Sequence, residues 1–352
     1  MKTKYLVLTG LLLALAVVLS GCATGLTAGG WPGMTADAKY AYLAGGSYVY
    51  AVNLQTGAQV WRYPDKASAN PFEATPVLTS DGQLIVGGYD KKLYSLNPQT
   101  GQSNWQFADA RDRWIGGILA VNNMIYAPNS DYNLYALNLR GELQWTFGAD
   151  QSIWGAPVSD GTNIYFGTLG HKVYAVNAKT GKQAWVQNVD GAVLGAPVLG
   201  TDNSLYVGSY GGTVYNLNTA TGSNHSLATA SSWIWSSPAL DGNTLYFGDG
   251  NGSLYAKPLG DTGQSWNQKL NGAITGTPLI SGENIIVGTE AGNVYFIDRT
   301  GTNPRPISIS GKVYASPCAA GSLILVAPTG GDAVLVALDS TGAVKWSFIP
   351  PK

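Results

Sequence analysis

Short apolar runs alternate with glycine-bearing turns along nearly the whole chain, and no stretch after the N-terminal segment shows helical periodicity. The stretch from residue 153 reads IWGAPVSDGTNIYFGTLGHKVYAVNAKTGKQAWVQNV. It holds four runs rich in Val, Ile, Tyr, Phe and Trp, separated by Asp-Gly, a Gly-x-x-x step and Thr-Gly. Those runs predict four strands joined by tight turns. The turn glycines supply positive φ at low cost, as a hairpin with a bulge requires. In Val173-Tyr174-Ala175-Val176, Tyr174 and Val176 point one way, Val173 and Ala175 the other. Both faces are apolar. A sheet with one wet face would alternate polar and apolar, so this one must be covered on both sides.

The pattern recurs eight times with a period of about 40 residues. The aromatic of the third run is Tyr50, Tyr94, Tyr135, Tyr174, Tyr215, Tyr255 and Tyr295, with Val336 in the eighth place. Turn glycines follow at Gly57, Gly101, Gly141, Gly181, Gly222, Gly263, Gly301 and Gly342. Trp61, Trp105, Trp145, Trp185, Trp266 and Trp346 stand ten or eleven residues after the aromatic. By that count Ser226 and Pro306 take the tryptophan's place in units five and seven, which are expected to pack less well there. A fixed period of this size marks a solenoid or a propeller. Small four-stranded sheets that need cover on both faces stack radially, so the predicted fold is all-β: an eight-bladed β-propeller of four-stranded antiparallel blades. The first unit begins at its inner strand (31–36) and the last ends at its outer strand (345–349). Closure is therefore expected by side-chain packing, with no blade shared between the termini, unless residues 24–30 add an edge strand.

The N-terminus, MKTKYLVLTGLLLALAVVLSGC, carries a basic start (Lys2, Lys4) and an apolar run over 5–19, and so reads as a secretory signal. It stops at Leu19-Ser20-Gly21-Cys22, which resembles the bacterial lipobox. That resemblance implies cleavage before Cys22 and lipidation of its thiol, so that buried acyl chains anchor the chain without spanning the bilayer. The expected organisation is a signal peptide at 1–21, a lipidated tether at 22–30 and the propeller at 31–352. The protein is then extracytoplasmic, on the periplasmic side of the outer membrane if the cell has one, otherwise on the outer face of the cytoplasmic membrane. Removing 1–21 takes away two lysines and no acid, which moves the formal charge from −1 to −3. So small a charge, with 12% charged residues, argues against nucleic acid as partner. With Cys22 lipidated, Cys318 has no partner and reads as a small core-facing hydrophobe.

Comparing units separates what a blade needs from what it does not. Four residues before the inner-strand proline (Pro76, Pro157, Pro197, Pro238, Pro278, Pro317) stand Phe72, Ile153, Val193, Ile234, Ile274 and Val313, with Trp114 in the unit that lacks the proline. All are apolar, so this position is core. One residue later come Glu73, Ile115, Trp154, Leu194, Trp235, Thr275 and Tyr314. This varied position faces the opposite way, toward the mouth of the central channel. Trp154, Trp235 and Tyr314, with Glu73, are the candidate partner-binding residues; large aromatics around one opening grip an apolar or extended segment or simply fill the funnel. The loops joining second and third strands belong to the same face and carry Tyr89, Asp90, Asp131, Tyr132, His171, Tyr210, Asp249 and Glu290.

Catalytic patterns are lacking. His171 and His225 lie in different units without ligand-spaced partners, so no zinc signature arises. No nucleophile elbow and no phosphate loop is visible. Asp249-Gly250-Asn251-Gly252 lacks the later acid of a calcium loop and reads as a hairpin turn.

The segment Tyr-Ala-x-Asn-x-x-Thr-Gly-x-x-x-Trp resembles the repeat of the pyrroloquinoline-quinone propeller superfamily, over residues 31–352. Two branches of that superfamily matter. The quinoprotein dehydrogenases are far longer, and they often carry a ring of two adjacent cysteines that this chain lacks. The BamB-type lipoproteins of outer-membrane β-barrel assembly share the lipobox, the short tether, the eight blades and the length. The second resemblance implies no cofactor, no metal and no catalysis. It implies a monomeric scaffold whose partner is an envelope protein such as a β-barrel insertase. The alternative is a surface or periplasmic module for another protein or a glycan, and third comes a quinone-dependent oxidoreductase.

Overall fold

The computed structural model describes residues 31–260 and 263–351. Cys22, the signal and tether, and the edge strand considered at 24–30 lie outside the described residues. The chain from Trp31 onward forms eight four-stranded antiparallel sheets, each made of consecutive strands. Blades 1 to 8 occupy 33–63, 77–107, 119–148, 158–188, 198–229, 239–269, 279–308 and 318–348. No helix occurs among the described residues.

The first strand of each blade is innermost, because it touches the first strand of the neighbouring blade. Gly33–Ala36 meets Cys318–Ala320, and Val158–Ser159 meets Val198–Leu199. Strands converging on an axis leave no room for side chains between them. A methyl on Gly195 would lie 2.6 Å from the Ser237 nitrogen, and one on Gly276 2.8 Å from the Ala315 oxygen. Small residues just before the proline are thus a packing requirement.

The period-two pattern is realised on both faces of each blade. Val173, Tyr174, Ala175 and Val176 are all buried, at 5% exposure or less. The buried apolar residues fall into eight clusters. Each lies between two adjacent blades, so the core is a ring of interfaces. The cluster of Met34, Tyr50, Val52, Leu325, Leu335 and Phe348 joins blade 1 to blade 8. Among the described residues closure is by side chains, and no sheet contains strands from both ends.

The tryptophans connect blades. Trp185 Nε1 donates to Thr219 O at 2.8 Å, and its ring lies against Gly222 in the turn of the next blade. The same contact recurs for Trp61 with Pro98 O at 2.9 Å, and for Trp145 with Ala178 O at 3.1 Å. Trp346 makes it across the termini, with Leu54 O at 2.7 Å. In five of the blades that carry this tryptophan the third and fourth strands slip register by a bulge just before it.

Two replacements differ from the count along the sequence. In blade 7 the residue opposite Phe296, where Trp185 stands opposite Ala175, is Arg305 and not Pro306. In blade 5 the bulge moves to Val214/Tyr215, and the place opposite Asn216 falls to His225, with Ser226 opposite Tyr215. The turns between third and fourth strands differ in length, so pairing register and not distance from the tyrosine decides who faces the next blade. The indole's two contacts are divided here: the Arg305 guanidinium lies 5.0 Å from the Phe296 ring centre and donates to Thr341 O of blade 8, while Ile307 packs where a Cβ on Gly342 would stand.

Candidate functional site

The core row, which the structure places a few residues before each inner strand and not at its start, is buried throughout: Phe72, Trp114, Ile153, Val193, Ile234, Ile274 and Val313 are 2% exposed or less. The residue after each of these, also before the inner strand, belongs to the varied row, in which Glu73, Leu194 and Thr275 are buried. Three aromatics of that row come together through a fourth. Trp31 lies 4.4 Å from Trp235, ring centre to ring centre, and stacks on Tyr314 at 5.3 Å with an interplanar angle of 15°. Trp154 meets Trp235 at 6.1 Å. These side chains come from blades 1, 4, 6 and 8, so they meet across the opening. The geometry is that of aromatic rings preferring offset or tilted contact.

Trp31 escapes a proline-based alignment because its unit carries Met34 where six of the others have proline. Strand pairing recovers it. Gly33 pairs with Ala44, which pairs with Val49, while Gly167 pairs with Val173 and Val158 with Tyr165. Two residues before Gly33 therefore matches two residues before Ala156, and Trp31 is the blade 1 counterpart of Trp154. Aligning unit one on its Val49-Tyr50 run would have exposed the match.

The cluster extends toward the rim. Tyr210, in the loop between second and third strands of blade 5, stacks on Trp233 at 5.5 Å and 12°. Trp233 meets Trp235 at 6.3 Å, edge to face. Tyr210 is 45% exposed, which makes it the open end of this aromatic surface. Trp233 stands two residues before Trp235, a spacing that would have picked it out. Its ring presses on Gly250, where any side chain would collide.

Glu73 lies in the segment that runs beside the start of blade 1, where a Cβ on Gly33 would touch Thr75. It is buried, and its charge is the next cause after burial itself in raising the Tyr89 phenol above its ordinary value. The Arg113 guanidinium lies 5.2 Å from the Tyr89 ring centre and acts the other way. Tyr314 donates to Glu290 at 3.2 Å, and Lys312 pairs with Glu290 at 2.8 Å. The Lys312 hydrogen bond holds the Glu290 carboxyl below its usual range.

The remaining polar groups of this face serve the fold. Asp249 is fully buried; its Oδ1 accepts from the Asn251 and Ser253 amides at 3.0 and 2.8 Å. Its Oδ2 accepts from Ser231 at 2.7 Å and Tyr255 at 2.9 Å. That carboxylate holds the turn and the repeat tyrosine. Asp131 bonds Tyr135 at 2.6 Å in the same way, and Asp90 bonds Tyr94. Burial, then Asp150, pushes the Tyr174 phenol up to about 12. Cys318 is half-buried on its inner strand, and burial pushes its thiol up, which suits a packed side chain and not a nucleophile.

What the mouth offers chemically is a partly exposed aromatic surface ringed by charged and hydroxyl groups. It can take apolar or aromatic groups presented to it, with polar contacts at the edge.

Comparison with known proteins agrees with this architecture. The family described as outer membrane protein assembly factor BamB matches residues 45–153, 140–225 and 223–304. Among solved structures, the crystal structure of BamB from Moraxella catarrhalis superposes with a TM-score of 0.70 at 18% identity, covering 86% of this chain and 92% of that one. The computationally designed Ika8 protein superposes with a TM-score of 0.72 at 16% identity, covering 90% and 95%. At these identities both show the fold alone. No curated protein matches the chain.

Proposed function

The chain belongs to the family described as outer membrane protein assembly factor BamB, and from that premise we propose that it is a non-catalytic scaffold of the cell envelope that binds protein during assembly of outer-membrane β-barrels. It is lipidated at Cys22, lies on the periplasmic side of the outer membrane, and acts as a monomer without cofactor or metal. Its partner is an envelope protein, a β-barrel insertase. The observation that carries the binding role is the aromatic mouth. Trp31, Trp154, Trp235 and Tyr314 converge from four blades, and Tyr210 leaves the surface open to solvent. A blade needs no aromatic at this position, since Thr275 and Leu194 occupy it elsewhere in the ring. A contiguous, partly exposed aromatic patch on a protein of low charge fits a docking surface.

The second reading, a module for another protein or a glycan, rests on the same rings, because stacked aromatics with polar edges also hold sugars. Crosslinking the lipidated chain in its own membranes, followed by pull-down and mass spectrometry, separates the two. Recovery of an insertase that is lost with Trp235→Ala and Tyr210→Ala supports the assembly role through this mouth. Enrichment of a different envelope protein, or of nothing, discards it.

A further inference from the structure

The two ends of the propeller differ in one respect that the fold does not require. Connections between first and second strands, and between third and fourth, contain no aromatic residue among the described residues. Those on the mouth side carry Tyr89, Tyr132, Tyr210, Trp154, Trp233 and Tyr314 among others. Tyr132 and Tyr210, at 44% and 45% exposure, are the exposed aromatics of the molecule's described part, and both lie in these loops. Tyr132 holds a φ of 72°, a left-handed backbone that blade 6 fills with Gly252 at the matching turn. A bulky residue there is uncommon.

The chain also reaches the propeller at this end. Trp31 is held against Tyr314 and Trp235 at the channel mouth. Only eight residues separate Cys22 from Trp31, so their reach is about 30 Å fully extended. Running from the axis to the far face means crossing a four-stranded blade, about 14 Å at sheet spacing, beyond the channel's own radius, and then descending a strand, about 20 Å for six residues. That path is longer than the tether. The mouth is therefore the face that a lipid on Cys22 brings nearest its membrane.

We propose that the aromatic mouth faces the bilayer and that Trp31 pins the tether there, so that this surface rests on lipid headgroups when no protein covers it. The inference rests on the lipid anchor of the proposed function. Tyrosine and tryptophan are the side chains that sit well at a membrane interface, with an apolar body and a polar tip. Acids outnumber bases in the mouth-side connections, so the fitting surface is zwitterionic and not anionic.

The test uses the full lipidated chain in phosphatidylcholine vesicles, with Cys318→Ala to remove the native thiol. A fluorophore is placed at Ala291→Cys in a mouth-side loop or at Gln55→Cys on the other face. Both positions are exposed. A quencher carried on lipid is expected to quench the label at 291 and leave the label at 55 unaffected. Trp31→Ala should lose that difference while the protein stays bound to vesicles, and added phosphatidylglycerol should weaken it. Equal quenching at 55 and 291 in the bound protein overturns the orientation and leaves the anchor standing. Cys22→Ser that still floats with vesicles overturns the anchor, and the orientation with it.

Discussion

Trp185 and Gly222 show how single residues hold neighbouring blades together. The indole nitrogen bonds Thr219 O at 2.8 Å, and the ring fills the space where a Cβ on Gly222 would stand, 2.7 Å from Cδ2. Gly222 also has φ of 75°, which L side chains disfavour. Trp185 is 8% exposed, so Trp185→Ala is expected to cost about 3–5 kcal/mol by urea unfolding. Gly222→Ala should cost less in the Trp185→Ala background than in the wild type, since only the backbone strain remains once the ring is gone. Strict additivity in the four-variant cycle would disprove the contact. Both residues were legible in the sequence as recurring positions. Their pairing was not, because they belong to different blades and repetition alone does not say which turn a tryptophan covers.

At the scale of the element, the outer strand depends on what it sends to the next blade. Gln183–Asn188 sends Trp185; Asn224–Thr229 has His225 and Ser226 in that region, without an indole. Arg305–Ser308 sends Arg305 to Phe296 and Thr341. Local stability should follow this order. In native-state hydrogen exchange, amides of Asn224–Thr229 are expected to open before those of Gln183–Asn188, and Arg305→Ala should bring Arg305–Ser308 to the unprotected level. Equal protection of the first two strands would show that the indole contact does not stabilise the strand. The units in which the tryptophan is missing were visible in the sequence. Which residue replaced it was not, because bulge position and turn length shift the register. The same limit hid Trp31, whose place among the mouth aromatics depends on strand pairing in a unit without the marker proline.

Across the whole molecule, eight inter-blade cores form a closed ring, and one of them joins the first blade to the last. Trp346 to Leu54 is chemically the same bond as Trp145 to Ala178, but it spans 292 residues of sequence instead of 33. Loss of a closing contact frees two chain ends, whereas loss of an internal one leaves both neighbours tied on their other sides. Trp346→Ala should therefore release exchange protection through both blade 1 and blade 8. Trp145→Ala should release only the contact between blades 3 and 4. Identical, local footprints for the two variants would mean that the ring needs no closure at this bond. The mouth belongs to this scale too, because its aromatics come from blades 1, 4, 6 and 8, which meet across the opening of the ring.

The sequence by itself determined the strands, the period, the number of blades, the core rows and the varied row that faces the mouth. Each of these rests on local periodicity and on comparison among units of one chain. Tertiary structure alone decided that Trp31, Trp154, Trp235 and Tyr314 meet, and that Arg305 reaches Thr341 of the next blade. Those are contacts between residues far apart in sequence. They depend on how a closed ring sets the register and tilt of every blade against the next, which no single repeat encodes.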